Sequence, residues 1–97
     1  LAIIGGGAVL HAGGFIDVTQ LNRAFSVAAL TLHVGDTVRF NNKDPFNHQI
    51  YVKSPDFNFD SPEQVPGETV NLTFTKPGTF DVQCGIHPRM HLSVTVQ

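Results

Sequence analysis

Cysteine is almost missing from this chain: of 97 residues, only Cys84 carries a thiol. No intrachain disulfide can form, so that thiol is left as a core residue, a reactive group or a metal ligand. Charge is sparse too. Six Lys and Arg against eight Asp and Glu make up 14% of the chain and leave a formal charge of −2. The six cations, Arg23, Arg39, Lys43, Lys53, Lys76 and Arg89, are scattered, which excludes the basic stripe of a nucleic-acid-binding surface. Long apolar runs are absent: the longest, around Leu1 to Leu10, is broken by Gly5-Gly6-Gly7 and falls short of the roughly 20 residues a membrane-crossing helix needs. The chain also lacks any stretch periodic enough for a full helix, any fixed-period repeat, and a basic region that would mark a signal peptide.

What is present is 41% apolar residues in a chain of one-domain length. They fall in short alternating runs separated by Gly, Pro and Asn turns. Residues 1–14 read as a leader or an extra edge strand, and the domain proper as 15–97. Leu30, Leu32 and Val34 share one face of a first clear strand. Gly35-Asp36 turns the chain, and Val38 and Phe40 face inward on the next, so the two read as a hairpin unless a Greek-key order sends the second strand elsewhere. Phe46 to Val52 reads as a strand with His48 at its start. Ser54 to Pro66 is irregular, with Phe57 and Phe59 placed to pin it onto the core. Val70, Leu72 and Phe74 share a face, as do Phe80, Val82 and Cys84, and then Met90, Leu92, Val94 and Val96. Seven or eight strands of this kind predict an all-β Greek-key β-sandwich.

The chemistry concentrates in Cys84-Gly85-Ile86-His87-Pro88-Arg89-Met90 together with His48, 36 residues before the cysteine. Taken singly, Cys84 is a small buried hydrophobe, His87 a loop residue and Met90 a core plug. Taken together they change meaning. Cys84 and Met90 both point inward at strand ends on either side of a short loop, and His48 begins another strand, so four donors can converge at one end of a sandwich. One thiolate, two imidazoles and a weak thioether form the ligand set of a blue-copper centre. Zinc fits less well, because methionine is a poor fourth ligand for it and no carboxylate is evidently placed as a base; Asp44, the nearest in sequence to His48, is separated from it by Pro45. His33 and His91 alternate outward and read as solvated strand residues, and His11 lies in the leader. Asn71-Leu72-Thr73 matches the short glycosylation acceptor pattern, which is common by chance.

These stretches, with Gly35-Asp36-Thr37-Val38, Asn42-Lys43-Asp44 and Pro77-Gly78-Thr79-Phe80, resemble the cupredoxins of the plastocyanin, pseudoazurin and amicyanin group over residues 15 to 97. The resemblance implies a type 1 copper held by His48, Cys84, His87 and Met90, a periplasmic or otherwise extracytoplasmic location, and one-electron shuttling between redox proteins. The spacing of the closing loop and Pro88 after the histidine are similar to the amicyanin form. One departure stands out. The family commonly has asparagine directly after the first histidine, where it helps tie the ligand loops and hydrogen-bonds the cysteine sulfur; here that place is Gln49.

The chain is thus expected to be a non-enzymatic, monomeric electron carrier. Electrons would leave through His87 across an apolar patch of Pro88, Ile86 and Phe46 or Pro45, with Arg89 either steering an acidic partner or keeping the rim soluble. Two other readings remain open from the sequence: a copper transport or delivery protein, and the electron-entry domain of a copper enzyme.

Overall fold

Alternation of β-branched and aromatic residues with polar ones builds strands that each bury one face, and two such faces close on each other. In the computed structural model, which describes residues 13–97, nine strands make two sheets. They are β1 (Phe15–Leu21), β2 (Ala24–Phe25), β3 (Ala29–Leu32), β4 (Thr37–Asn42), β5 (Ile50–Lys53), β6 (Asn58–Asp60), β7 (Thr69–Thr73), β8 (Gly78–Cys84) and β9 (His91–Val96). Seven have four residues or more; β2 and β6 are the short additions to the expected set. One sheet has the order β2-β1-β4-β7 and the other β3-β9-β8-β5-β6. Pairs β1/β4 and β3/β9 are parallel, and the crossovers they require make this a Greek-key sandwich rather than a meander. Of the segment expected to be a leader or edge strand, residues 1–12 lie outside the described residues.

The core is the apolar layer between the sheets: Val18, Leu32, Val38, Phe40, Ile50, Val52, Leu72, Phe74, Phe80, Val82, Leu92, Val94 and Val96. Each such side chain contributes about 1.5–3 kcal/mol by leaving water. Phe57 closes this layer from the irregular segment, its ring 5.4 Å from that of Phe74 and 5.1 Å from that of Phe80. Phe59 packs beside it from β6, so the two phenylalanines pin the loop as expected.

Two expectations are corrected. Leu30–Val34 and Thr37–Phe40 do not form a hairpin, because they lie in different sheets: β3 pairs with β9, and β4 with β1 and β7. The switch occurs at Gly35, whose φ of 97° only glycine adopts easily. Just before it, the Val34 N–H still donates to Gln97, which follows β9, whereas the Gly35 N–H donates to Phe74, which follows β7. Val34, expected inward, is therefore past the end of its strand and exposed. The second correction concerns His48. The strand expected over 46–52 begins only at Ile50, and His48 sits before it in an isolated antiparallel bridge to Gln64.

Candidate metal centre

All candidate donors gather at one end of the sandwich. Cys84 is the last residue of β8 and lies opposite Ile50, the first of β5, so the neighbouring Gln49 and Gly85 backbones meet just beyond the sheet. Met90 precedes β9, and its N–H donates to the His87 carbonyl at 3.0 Å, which closes a turn at the end of the seven-residue loop from Cys84. Parity placed Cys84 and Met90 inward, and both are 1% exposed. His48 comes from the opposite side, fixed by two backbone hydrogen bonds with Gln64 of 2.9 and 2.7 Å, and is fully buried.

Three donor atoms form a tight triangle. The Cys84 Sγ lies 3.6 Å from His48 Nδ1 and 3.8 Å from His87 Nδ1, and the two nitrogens are 3.1 Å apart. These separations are those of donors sharing one ion at about 2.0–2.3 Å, the usual metal–imidazole and metal–thiolate bond lengths. His48 and His87 meet edge-on, their ring centroids 4.8 Å apart. Phe46 closes over both, 5.6 Å from His48 and 5.2 Å from His87. Among the described residues, His33 and His91 stand away from this cluster and exposed, as expected; His91 pairs with the exposed Asp81 at 3.1 Å.

The tautomer of His48 follows from its far side. Its Nε2 lies 2.7 Å from Asp44 Oδ2, and a carboxylate can only accept, so Nε2 carries the proton and Nδ1 turns a lone pair toward the thiol. Asp44 is 3% exposed. Burial alone would raise its pKa, but hydrogen bonds from His48 and from the Arg23 and Asn22 backbones outweigh that, and its pKa is held below the ordinary value. Sequence order hid this residue. Pro45 seemed to separate Asp44 from His48, yet the bend through residues 43–47 brings its side chain back under the imidazole. His87 is only partly buried, and its pKa is lowered, first by that burial and then by the nearby His48 and Arg23.

Gln49 resolves the departure noted in the sequence. Its backbone N–H donates to the Cys84 sulfur at 3.3 Å, a contact that needs no asparagine. Its side chain instead reaches Asp60, Ser61 and the Ile50 carbonyl. The two loops are tied by the Gln49 backbone, whose carbonyl also accepts the Gly85 N–H at 3.2 Å, while the Asn42 amide braces the His48 side by donating to the Phe46 and Gln64 carbonyls at 2.9 and 3.1 Å. Sequence reasoning also missed Arg23. Its guanidinium lies 4.4 Å over the Phe46 ring, and with His87, Pro88 and Arg89 it lines a surface hollow of about 340 Å³.

Comparison with known proteins agrees with this geometry. Residues 10–96 match the cupredoxin-like domain family. The chain is 29% identical to amicyanin of Paracoccus denitrificans over 89 residues, which is 89% of this chain and 68% of that protein. Among solved structures, the reduced form of an amicyanin variant superposes with a TM-score of 0.78 at 29% identity, over 90% of this chain and 86% of the other. The Cu(I) form of a second amicyanin variant gives 0.79 at 29% identity over the same shares, 90% and 86%.

Proposed function

The chain belongs to the cupredoxin-like domain family, and on that premise we propose that His48, Cys84 and His87 would hold its metal, with the Met90 thioether as a fourth, weaker donor. The protein is a small blue copper electron carrier with one type 1 copper, not an enzyme. The observation that carries the ligand assignment is the triangle of two imidazole nitrogens and one thiol sulfur at 3.1, 3.6 and 3.8 Å.

When bound there, copper supplies a Cu(I)/Cu(II) couple that takes up or releases one electron at a time. The chain's own residues make that exchange easy. The β8 end, the turn closed at Met90 and the Gln64 bridge fix the donors independently of the ion, so few atoms need move with its charge. The Gln49 N–H offsets negative charge on the sulfur. Burial of His48, Cys84 and Met90 excludes water and also argues against rapid metal exchange, which disfavours a delivery role.

His87 is the partly exposed member of the set, and electrons are proposed to pass through its ring. The redox partner docks over it, on an apolar patch that includes Pro88 and Ile86, the latter 41% exposed. Arg23 and Arg89 flank the patch, so a partner with acidic residues around its own electron-entry site is favoured. We take the carrier to act as a monomer outside the cytoplasm, in a periplasmic or equivalent compartment, as the family resemblance implies. No helix among the described residues is long and apolar enough to cross a membrane.

The test is the optical and paramagnetic resonance spectrum of the copper-loaded protein beside Cys84→Ser. The parent should show an intense visible thiolate-to-copper band that the serine variant, folded by circular dichroism, lacks. Unchanged colour in the variant would overturn the assignment.

A further inference from the structure

We propose that Asp44 is a positioning residue that ties the ligand His48 and the surface cation Arg23 to one buried carboxylate, so that the reduction potential of the site and the placement of the positive rim beside His87 are set together. The proposal rests on the copper reading above and extends it to residues outside the donor set.

The geometry starts at a turn. Gln20 pairs with Phe25 and Leu21 with Ala24, which leaves Asn22 and Arg23 as a two-residue hairpin loop, both with φ of 56°. Such a loop favours Asn followed by Gly, and a bulky residue in the left-handed region is strained. Here the second place is arginine. The strained backbone is held by Asp44, whose Oδ1 accepts the Asn22 N–H at 2.6 Å and whose Oδ2 accepts the Arg23 N–H at 3.0 Å. The arginine side chain is thereby laid over Phe46, the ring that covers both histidines.

Oδ2 is also the atom 2.7 Å from His48 Nε2. One oxygen thus serves a metal-ligating imidazole and a surface turn, and the Asp44 N–H is itself fixed by Asn42 Oδ1 at 2.9 Å. A carboxylate behind the imidazole raises the basicity of the ligating nitrogen and favours the more positive metal state. Any change in charge at the ion alters the pull of His48 on Oδ2, and hence the hydrogen bonds that hold Arg23. The surface that meets the partner is in this way connected to the oxidation state of the site by three hydrogen bonds.

The experiment compares copper-loaded parent, Asp44→Asn and Arg23→Gly by voltammetry, and their Cu(I) forms by amide NMR. Asp44→Asn, which keeps the shape and removes the charge, should raise the potential and speed hydrogen exchange at the Asn22 and Arg23 amides. Arg23→Gly keeps both N–H donors and should leave the potential near that of the parent. An unshifted potential in Asp44→Asn overturns the proposal, as does a shift of equal size and opposite sign in Arg23→Gly, which would assign the effect to net charge alone. If Asp44→Asn does not fold, the parent alone decides. Its Asn22 and Arg23 amide resonances should differ between the Cu(I) and Zn(II) forms, both diamagnetic and one charge apart, and identical resonances overturn the coupling. A parent that forms no blue site would defeat the copper reading itself, whereas a blue Asp44→Asn with the parent's potential defeats only this inference.

Discussion

Gln49 and Gly85 meet edge to edge beside the thiol: the Gln49 N–H donates to the Cys84 sulfur at 3.3 Å, and the Gln49 side-chain oxygen lies 2.5 Å from where a Cβ on Gly85 would stand. The Gly85 N–H donates in turn to the Gln49 carbonyl at 3.2 Å. Glycine is required at the start of the ligand loop by this close approach, since a side chain would have to displace an amide anchored to Asp60, Ser61 and Ile50.

Gly85→Ala is accordingly expected to lower stability by about 1–3 kcal/mol, the usual range for overpacking a filled site, and to weaken the hydrogen bond to sulfur. Gly85→Ala combined with Gln49→Ser should recover most of the loss, because the shorter side chain vacates the space. Urea midpoints of the two variants check this, and equal midpoints would show that the clash is relieved in some other way.

Much of the site was legible in the sequence because its rules are local. A strand's period of two was enough to send Cys84 and Met90 inward with Phe80, Val82, Leu92 and Val94, and a three-residue interval brought His87 back over Cys84. What was hidden depends on contacts between distant segments. The sheet in which β4 pairs was decided by one glycine at residue 35 and by parallel partners that no alternation pattern specifies. Asp44 and Arg23 carry no motif, and they come together only once the 22–23 turn and the 43–47 bend have been stacked. Gln20 and Gln64 are marked by no pattern in the sequence, and both are fully buried.

That amide pair supplies a second prediction. Gln64 Nε2 donates to the Phe40 and Glu68 carbonyls, both at 2.9 Å, and its Oε1 accepts from Gln20 Nε2 at 2.9 Å, while Gln20 Oε1 is buried without a partner among the described residues. A buried polar group left unpaired costs about 1–3 kcal/mol. Gln64→Met breaks all three bonds and leaves Gln20 Nε2 unpaired, although the Glu68 carbonyl keeps the Asn42 N–H, and should destabilise by about 1–3 kcal/mol on that scale. Gln20→Met exchanges one orphan for another and should fall within about 1 kcal/mol of the parent. Chemical denaturation separates the two outcomes, and a larger loss for Gln20→Met would contradict the bonding described.

Docking over His87 is tested at its apolar rim. Ile86 is 41% exposed beside His87, so two copies exchanging an electron through their His87 edges would bury it. Ile86→Glu brings two like charges together in that encounter. It should slow electron self-exchange by at least roughly tenfold, equivalent to about 1.4 kcal/mol in the barrier, with the potential and optical spectrum retained. Line broadening in mixtures of oxidised and reduced protein measures the rate, and an unchanged rate would move the docking surface elsewhere.

The metal-free protein should lose stability on acidification in two steps, to each of which one side chain at the site contributes. His87 has its pKa lowered from an ordinary 6.5, so between 6.5 and its lower folded value the unfolded chain binds a proton that the folded chain does not. Stability is then complete above about pH 6.5, the ordinary histidine value, and falls as the pH drops through that window. Asp44 has its pKa lowered from an ordinary 3.8, so its contribution is present above 3.8 and is lost only as the pH falls further, through the folded value. Urea midpoints recorded against pH should show both steps in the parent, the lower alone in His87→Asn, and in Asp44→Asn the upper with a smaller lower step, since Asp17, bonded to Arg39, also has its pKa lowered from 3.8. Persistence of the upper step without His87 would show that another group on this chain governs it.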